Sequence, residues 1–185
     1  MMARRQAGSA AHGAASAGFT LVELIVVLVL IGILSAIAVP RMMSRSPFDA
    51  VAYQDQLAGL LRYGQKMAIA QNRNVFVRVD AGGIALCYTA SCAAGSRVLA
   101  PGGANTNSSA TMAACGDVTW ACEAPPPQVR ITPAVQFYFD PVGKPFAIAD
   151  APPTIVSTFT PLAISVSAGA SVRTVSVEME TGYVR

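Results

Sequence analysis

Histidine is almost absent from this sequence. Its single copy, His12, lies near the amino end, so the body of the chain has no imidazole to activate a serine or cysteine nucleophile. Charge is scarce too: only 12% of the 185 residues are charged and the net charge is +3. Without Arg4 and Arg5, 11 bases face 10 acids, too weak a field to hold nucleic acid by charge. A phosphate loop is also missing, because Gly102-Gly103-Ala104-Asn105 follows no strand and no lysine and hydroxyl come after it at the required spacing. Glu178 and Glu180 would share one face of a strand, the minimum for acid/base work or a cation site, but a solvated strand face explains them as well. No catalytic set, cofactor site or metal site emerges, and the chain reads as a non-enzyme.

Apolar residues are abundant, at 53% of the chain, and unevenly spread. Leu24 to Val39 contains no charged residue. A helix from Phe19 to Val39 would rise about 31 Å, close to the thickness of bilayer hydrocarbon. Three readings compete for this segment. Ala36-Ile37-Ala38 is an A-x-A pattern of the kind cut to release a soluble exported protein beginning at Val39; against this, the apolar run is long and the arginines lie far upstream. A plain membrane anchor is the second reading, and it has no use for Glu23, because a carboxylate entering hydrocarbon costs several kcal/mol. In the third, a cut between Gly18 and Phe19 creates an α-amine near Glu23, and the amine of a neighbouring subunit pairs with that carboxylate and fixes register.

Gly18-Phe19-Thr20-Leu21-Val22-Glu23-Leu24, the aliphatic run and then Pro40 resemble the class III signal of type IV prepilins and type II secretion pseudopilins. The resemblance implies cleavage after Gly18 by a prepilin peptidase, N-methylation of Phe19 and contact of Glu23 with the amine of an adjacent subunit. It also implies a single-pass inner-membrane protein, handed by an assembly platform to other pilin or pseudopilin subunits in a pilus or pseudopilus. Arginines on both flanks, Arg4 and Arg5 against Arg41 and Arg45, nearly balance the positive-inside rule. The cysteines favour a periplasmic C-terminal part.

Pro40 is expected to kink or interrupt the helix. Ser46-Pro47-Phe48-Asp49 then offers an N-cap, a proline at the first helical position and an acid after it. Leu57, Leu60, Leu61, Gly64 and Ala68 recur at helical spacing, with Asp55, Arg62, Lys66 and Arg73 opposite. After Asn72 the pattern turns to β, with a hairpin of Val75 to Val79 and Ile84 to Tyr88 about Gly82-Gly83. Further strands are expected at Val135 to Phe139, Ala163 to Val166 and Val172 to Met179.

The expected fold is α+β: a long N-terminal helix, membrane-spanning in its first half and amphipathic in its second, packed on an antiparallel sheet. The expected divisions are a leader at 1–18, a transmembrane and filament-core helix at 19–40, an amphipathic helix at 41–72 and a β-rich head at 73–185. Within the head a long loop, 92–127, is rich in Ala, Gly, Ser, Asn and Pro. Cys87, Cys92, Cys115 and Cys122 read as two disulfides, either between near neighbours or nested; their spacing is loose for zinc. Trp120, the one tryptophan, either anchors a partner from an exposed position or covers a disulfide.

Phe137-Tyr138-Phe139-Asp140 before Gly143, and Gly182-Tyr183-Val184 near the end, resemble the GspH/FimT-like minor pilins. Phe48-Asp49-Ala50, Leu61-Arg62-Tyr63 and Ala68-Ile69-Ala70-Gln71 add a likeness to MSHA-type, MshC-like minor pilins. This implies low-abundance priming or tip placement, with tip adhesion as the alternative. Some FimT-like proteins take up DNA through a basic C-terminal motif. Here only Arg185 follows Val184 and the nearest other base is Arg173, too few for binding that survives salt.

Overall fold

The computed structural model describes residues 19–42, 46–150 and 154–185, with side-chain surroundings given outside 37–46. The expected leader, Gly18 included, and the side chain of Pro40 lie outside the described residues. The chain divides into two compact units, Met1–Ser44 and Arg45–Arg185. The first holds helix α1 (Leu21–Met42). Its helical backbone is not interrupted at Pro40 but runs on to Met42; a proline forfeits one N–H···O bond of the ladder, and a long apolar helix can lose one.

The second unit begins with α2 (Ser46–Gln71). Pro47 sits in its first turn, where a missing N–H has no intrahelical partner to lose, and Asp49 there faces the positive end of the helix dipole. Tyr53, Leu57, Leu61 and Ala68 form its buried ridge, while Asp55, Arg62 and Lys66 are exposed. After it come β1 (Val75–Asp80), β2 (Gly83–Cys87), α3 (Ser109–Cys115), β3 (Cys122–Glu123), β4 (Arg130–Thr132), β5 (Val135–Phe139), β6 (Pro145–Ala147), β7 (Leu162–Ala168) and β8 (Ser171–Val177).

Two antiparallel sheets form where a single one was expected. The first has strand order β3-β2-β1-β5-β6 and the second β4-β7-β8. The reason lies in which edges remain open. β1 is paired on both sides, by β2 and β5, and the outer strands β3 and β6 are only two and three residues long. The late β7–β8 hairpin therefore finds no long edge to join. It lies against α2 and buries Ile164, Val166, Val175 and Val177 in the core that α2 and the first sheet share.

The turn between β1 and β2 is Ala81-Gly82, one residue earlier than the glycine pair, because Asp80 pairs with Gly83. Gly83 is needed for another purpose: it has φ of 125°, and a Cβ on it would lie 1.9 Å from the Glu123 carbonyl oxygen, so it lets β3 approach. Glu178 and Glu180 do not share a strand face. β8 ends at Val177, and the two acids stand in the turn beyond it, where Glu180 meets Lys144 at 2.7 Å.

Two surface turns are tied to α2 by one side chain. The Gln65 amide donates to the carbonyls of Gly143 at 2.9 Å and Thr181 at 2.8 Å. Beside it, Val184 is buried, its carbonyl accepts from Arg62 Nε at 3.2 Å, and Arg185 pairs with Ser176 through the backbone. A third turn is closed by Asp150, which accepts from the N–H of Thr158 at 2.8 Å, its hydroxyl at 2.7 Å and the N–H of Ala147 at 3.1 Å. The Thr158 donors, with the Ala147 N–H behind them, hold this carboxyl below the usual carboxylate range.

Replacing Gln65 with Ala should lower head stability by about 2 kcal/mol, two net hydrogen bonds' worth, as measured by denaturant unfolding. The lowered Asp150 value adds stability that is fully present above the ordinary carboxylate range, about pH 4. That stability is lost as pH falls through the folded-state value. An Asp150→Asn variant should therefore melt below the parent at pH 7, with the gap closing in acid; a gap independent of pH would contradict the assignment.

Candidate functional site

The chain has two regions with chemistry of their own: the start of α1 and the stapled loop of the head. At the first, Thr20 precedes the helix and its Oγ1 accepts the backbone N–H of Glu23 at 3.2 Å. Thr20-Leu21-Val22-Glu23 thus has the order of a capping box. The Thr-x-x-Glu order is legible in the sequence. It gives Glu23 a local role, a carboxylate in the first turn where the helix dipole favours negative charge, but it does not account for an acid at the head of an apolar run.

From Leu24 to Leu34 the helix is apolar on every side. Leu24, Val27, Ile31 and Leu34 lie at successive turns, and all are exposed, as are Ile25, Leu28 and Val29 between them. A helix without a polar face needs lipid or other helices around it. Residues 21–36, whose side chains are described, rise about 24 Å, less than the hydrocarbon core of about 30 Å. Among the described residues no helix is long and apolar enough to cross a membrane.

In the head, the long connection from Cys92 to Pro127 is not the open polar loop that its composition implies. Cys87 is bonded to Cys92 and Cys115 to Cys122, near neighbours in each case, with Cα separations of 5.2 and 6.0 Å. Trp120 packs against both bridges, is only 4% exposed, and donates its indole N–H to the Leu86 carbonyl at 2.8 Å. The Arg97 guanidinium lies 4.3 Å from its ring centroid and 3.5 Å from Asp117. Asp117 is held below the usual carboxylate range by the N–H and hydroxyl of Thr119, with Arg97 adding to the effect. Trp120 therefore covers the disulfides, and the exposed-anchor reading is corrected: its ring offers no surface to a partner.

Glu123 is the residue the sequence did not reveal. It is 5% exposed and accepts from the Thr106 N–H at 2.7 Å, the Thr106 hydroxyl at 2.5 Å and the Thr111 hydroxyl at 3.0 Å. Its backbone carbonyl takes the Tyr53 phenol at 3.0 Å. Burial, and next the charge of Glu123, push that phenol far above its ordinary value. These two hydroxyls and one amide fold the loop around a carboxylate. Among the described residues no cluster of His, Cys, Asp or Glu could hold a metal ion.

The start of α1 decides the family signal. Residues 14–39 match the prokaryotic N-terminal methylation motif. That span contains Gly18, Phe19 and Glu23 together with most of α1. Among solved structures, the type IV minor pilin FimU of Pseudomonas aeruginosa (strain PAO1) is similar at 12% identity, with a TM-score of 0.44 over 72% of this chain and 89% of that one. No curated protein matches the chain.

Truncating Trp120 to Ala should cost the head about 4 kcal/mol, the scale for a buried aromatic. The loss should appear as a lower unfolding midpoint and faster proteolysis of the 92–127 loop. An unchanged midpoint would restore the exposed reading.

Proposed function

We propose that this chain is a type IV pilin-like precursor, cleaved after Gly18, methylated on the new amine of Phe19, and built into a filament through α1. The single observation that carries the reading is the methylation motif over 14–39; the proposed cut falls directly before the capped start of a helix that is apolar all round from Leu24 to Leu34. Glu23 then stands in the first turn behind the Phe19 amine. In the low dielectric of a helix bundle, its carboxylate and the amine of a neighbouring copy attract strongly and fix the axial register of the two. Before assembly α1 resides in the inner membrane, with the head on the periplasmic side, where its disulfides form.

Within that class we place the protein among the minor pilins or pseudopilins, with a structural and assembly-priming role in an MSHA-type pilus or a type II secretion filament. Support comes from the short sequence likenesses in α2 and at Gly182-Tyr183-Val184. Tip adhesion lost its anchor when Trp120 proved buried. DNA capture is not favoured either: the Nε of Arg185 is engaged with Ser176 Oγ at 3.1 Å.

Mass spectrometry of the mature amino end tests the reading. An N-methylated Phe19 is expected; a chain beginning at Val39 would overturn it in favour of a soluble exported product. With Glu23→Ala, cleavage and methylation should continue while the amount in filaments falls about tenfold or more. Undiminished incorporation would remove the charge-pair role.

A further inference from the structure

The interior of α2 holds a glycine that no contact in the head requires. A glycine inside a helix weakens it relative to alanine. Gly64 has an internal reason, because a Cβ there would come 3.1 Å from Leu86 Cδ2, whereas at Gly59 the same construction meets nothing within 4 Å. Gly59 opens onto a cleft of about 640 Å³ between α2 and the stapled loop, with the buried Leu60 and Ala121 in its floor and Ala100 and Ala104 on the loop side.

The walls of this cleft are held in place. On the loop side, the Asn105 amide donates to the carbonyls of Asp117 at 2.9 Å and Trp120 at 3.3 Å, and Thr106 is bonded to Glu123 through its N–H and its hydroxyl. Cys122, also in the lining, is tied to Cys115. Tyr63 of α2 donates its phenol to the Leu99 carbonyl at 3.1 Å and so fixes the helix to the loop. A preformed, largely apolar cleft of this size suits a small organic molecule, which it can accept with little cost in ordering.

Its open side carries charge of one sign. Arg62 and Lys66, one turn apart on α2, both line the cleft and both are exposed. Arg62 spends its Nε on the Val184 carbonyl at 3.2 Å, and Lys66 makes no hydrogen bond or ion pair among the described residues. Among the described residues of the lining the one acid is Glu123, and its oxygens are taken by Thr106 and Thr111. Two cations above apolar walls, with no free acid to answer them, select an anion on an apolar body. An extended peptide is a poorer fit. The N–H groups of Ala100, Asn105 and Thr106 are spent on Thr119, Val118 and Glu123, so this wall offers no edge for strand addition.

We propose that the cleft binds a free amphipathic organic anion, a compact aromatic or aliphatic body bearing one carboxylate, sulfonate or phosphate. Lys66 and Arg62 meet the anion, and the missing side chain at Gly59 leaves room for the body. The site belongs to the head alone and holds whether or not α1 enters a filament.

Solvent access to one added thiol in the full-length chain tests it, since the four native cysteines are bonded in pairs. An Ala104→Cys chain in phosphatidylcholine membranes is labelled with a water-soluble maleimide in the presence of naphthalene-2-sulfonate or its neutral counterpart, naphthalene-2-sulfonamide. The sulfonate should slow labelling about fivefold, at about a tenth of the concentration that the sulfonamide needs. A Val142→Cys control, at an exposed turn outside the cleft, should be unaffected. Lys66→Gln should bring the two solutes to equal effect. Gly59→Leu, which fills the cleft and suits a helix better than glycine, should abolish protection by both. Equal protection by the two solutes in the parent, protection that survives Gly59→Leu, or slowing at Val142→Cys would overturn the site. Protection by phosphatidylglycerol added to the membrane without either solute would overturn it too, by assigning the anion to a lipid headgroup.

Discussion

One helical ridge supports both sheets of the head. Tyr53, Leu57, Leu61 and Ala68 of α2 share a core with Val75, Val77, Phe137 and Phe139 of the first sheet and with Ile164, Val175 and Val177 of the second. Each sheet has an apolar face that must be covered to be stable in water. The helix gives them a common face, and Gln65 and Arg62 then fasten the turns that close over it. The ridge also leaves Gly59 and Lys66 of α2 outside the core, on the cleft beside the stapled loop.

Helical and strand periodicity made most of these elements legible. The buried positions of α2, the β1–β2 hairpin and the cores of β5, β7 and β8 followed from spacing alone, because each element displays its period locally. The division into two sheets could not be read this way, since it depends on which edges are already occupied once β5 has paired with β1. The stapled loop was illegible for a different reason. Its organising group is a buried carboxylate whose donors, Thr106 in the loop and Thr111 in the short helix α3, stand 17 and 12 positions away. Nothing in composition separates such a loop from a solvated one. Near-neighbour cysteines hinted at order, but either pairing scheme fitted the spacing until the structure joined 87 to 92 and 115 to 122.

The two units differ in what they expose. The head hides its apolar ridge and shows charge, as a protein bathed in water must; α1 shows aliphatic side chains on every side and one acid at its capped start. The Thr20 hydroxyl, accepting the Glu23 N–H, explains how that start is held. The same acid falls within the span that matches the methylation motif.

The short span of each disulfide bears on how the protein matures. Its bridges enclose 5 and 7 positions of sequence separation, whereas the alternative partners Cys92 and Cys115 are far more distant in the chain. Closing a small loop is the most frequent encounter in an unfolded polypeptide, so the native pairs are also the pairs that meet first. Oxidation can then precede sheet formation instead of waiting for it. The loop needs no correct long-range fold to select its partners, and it acquires its staples with little need for reshuffling.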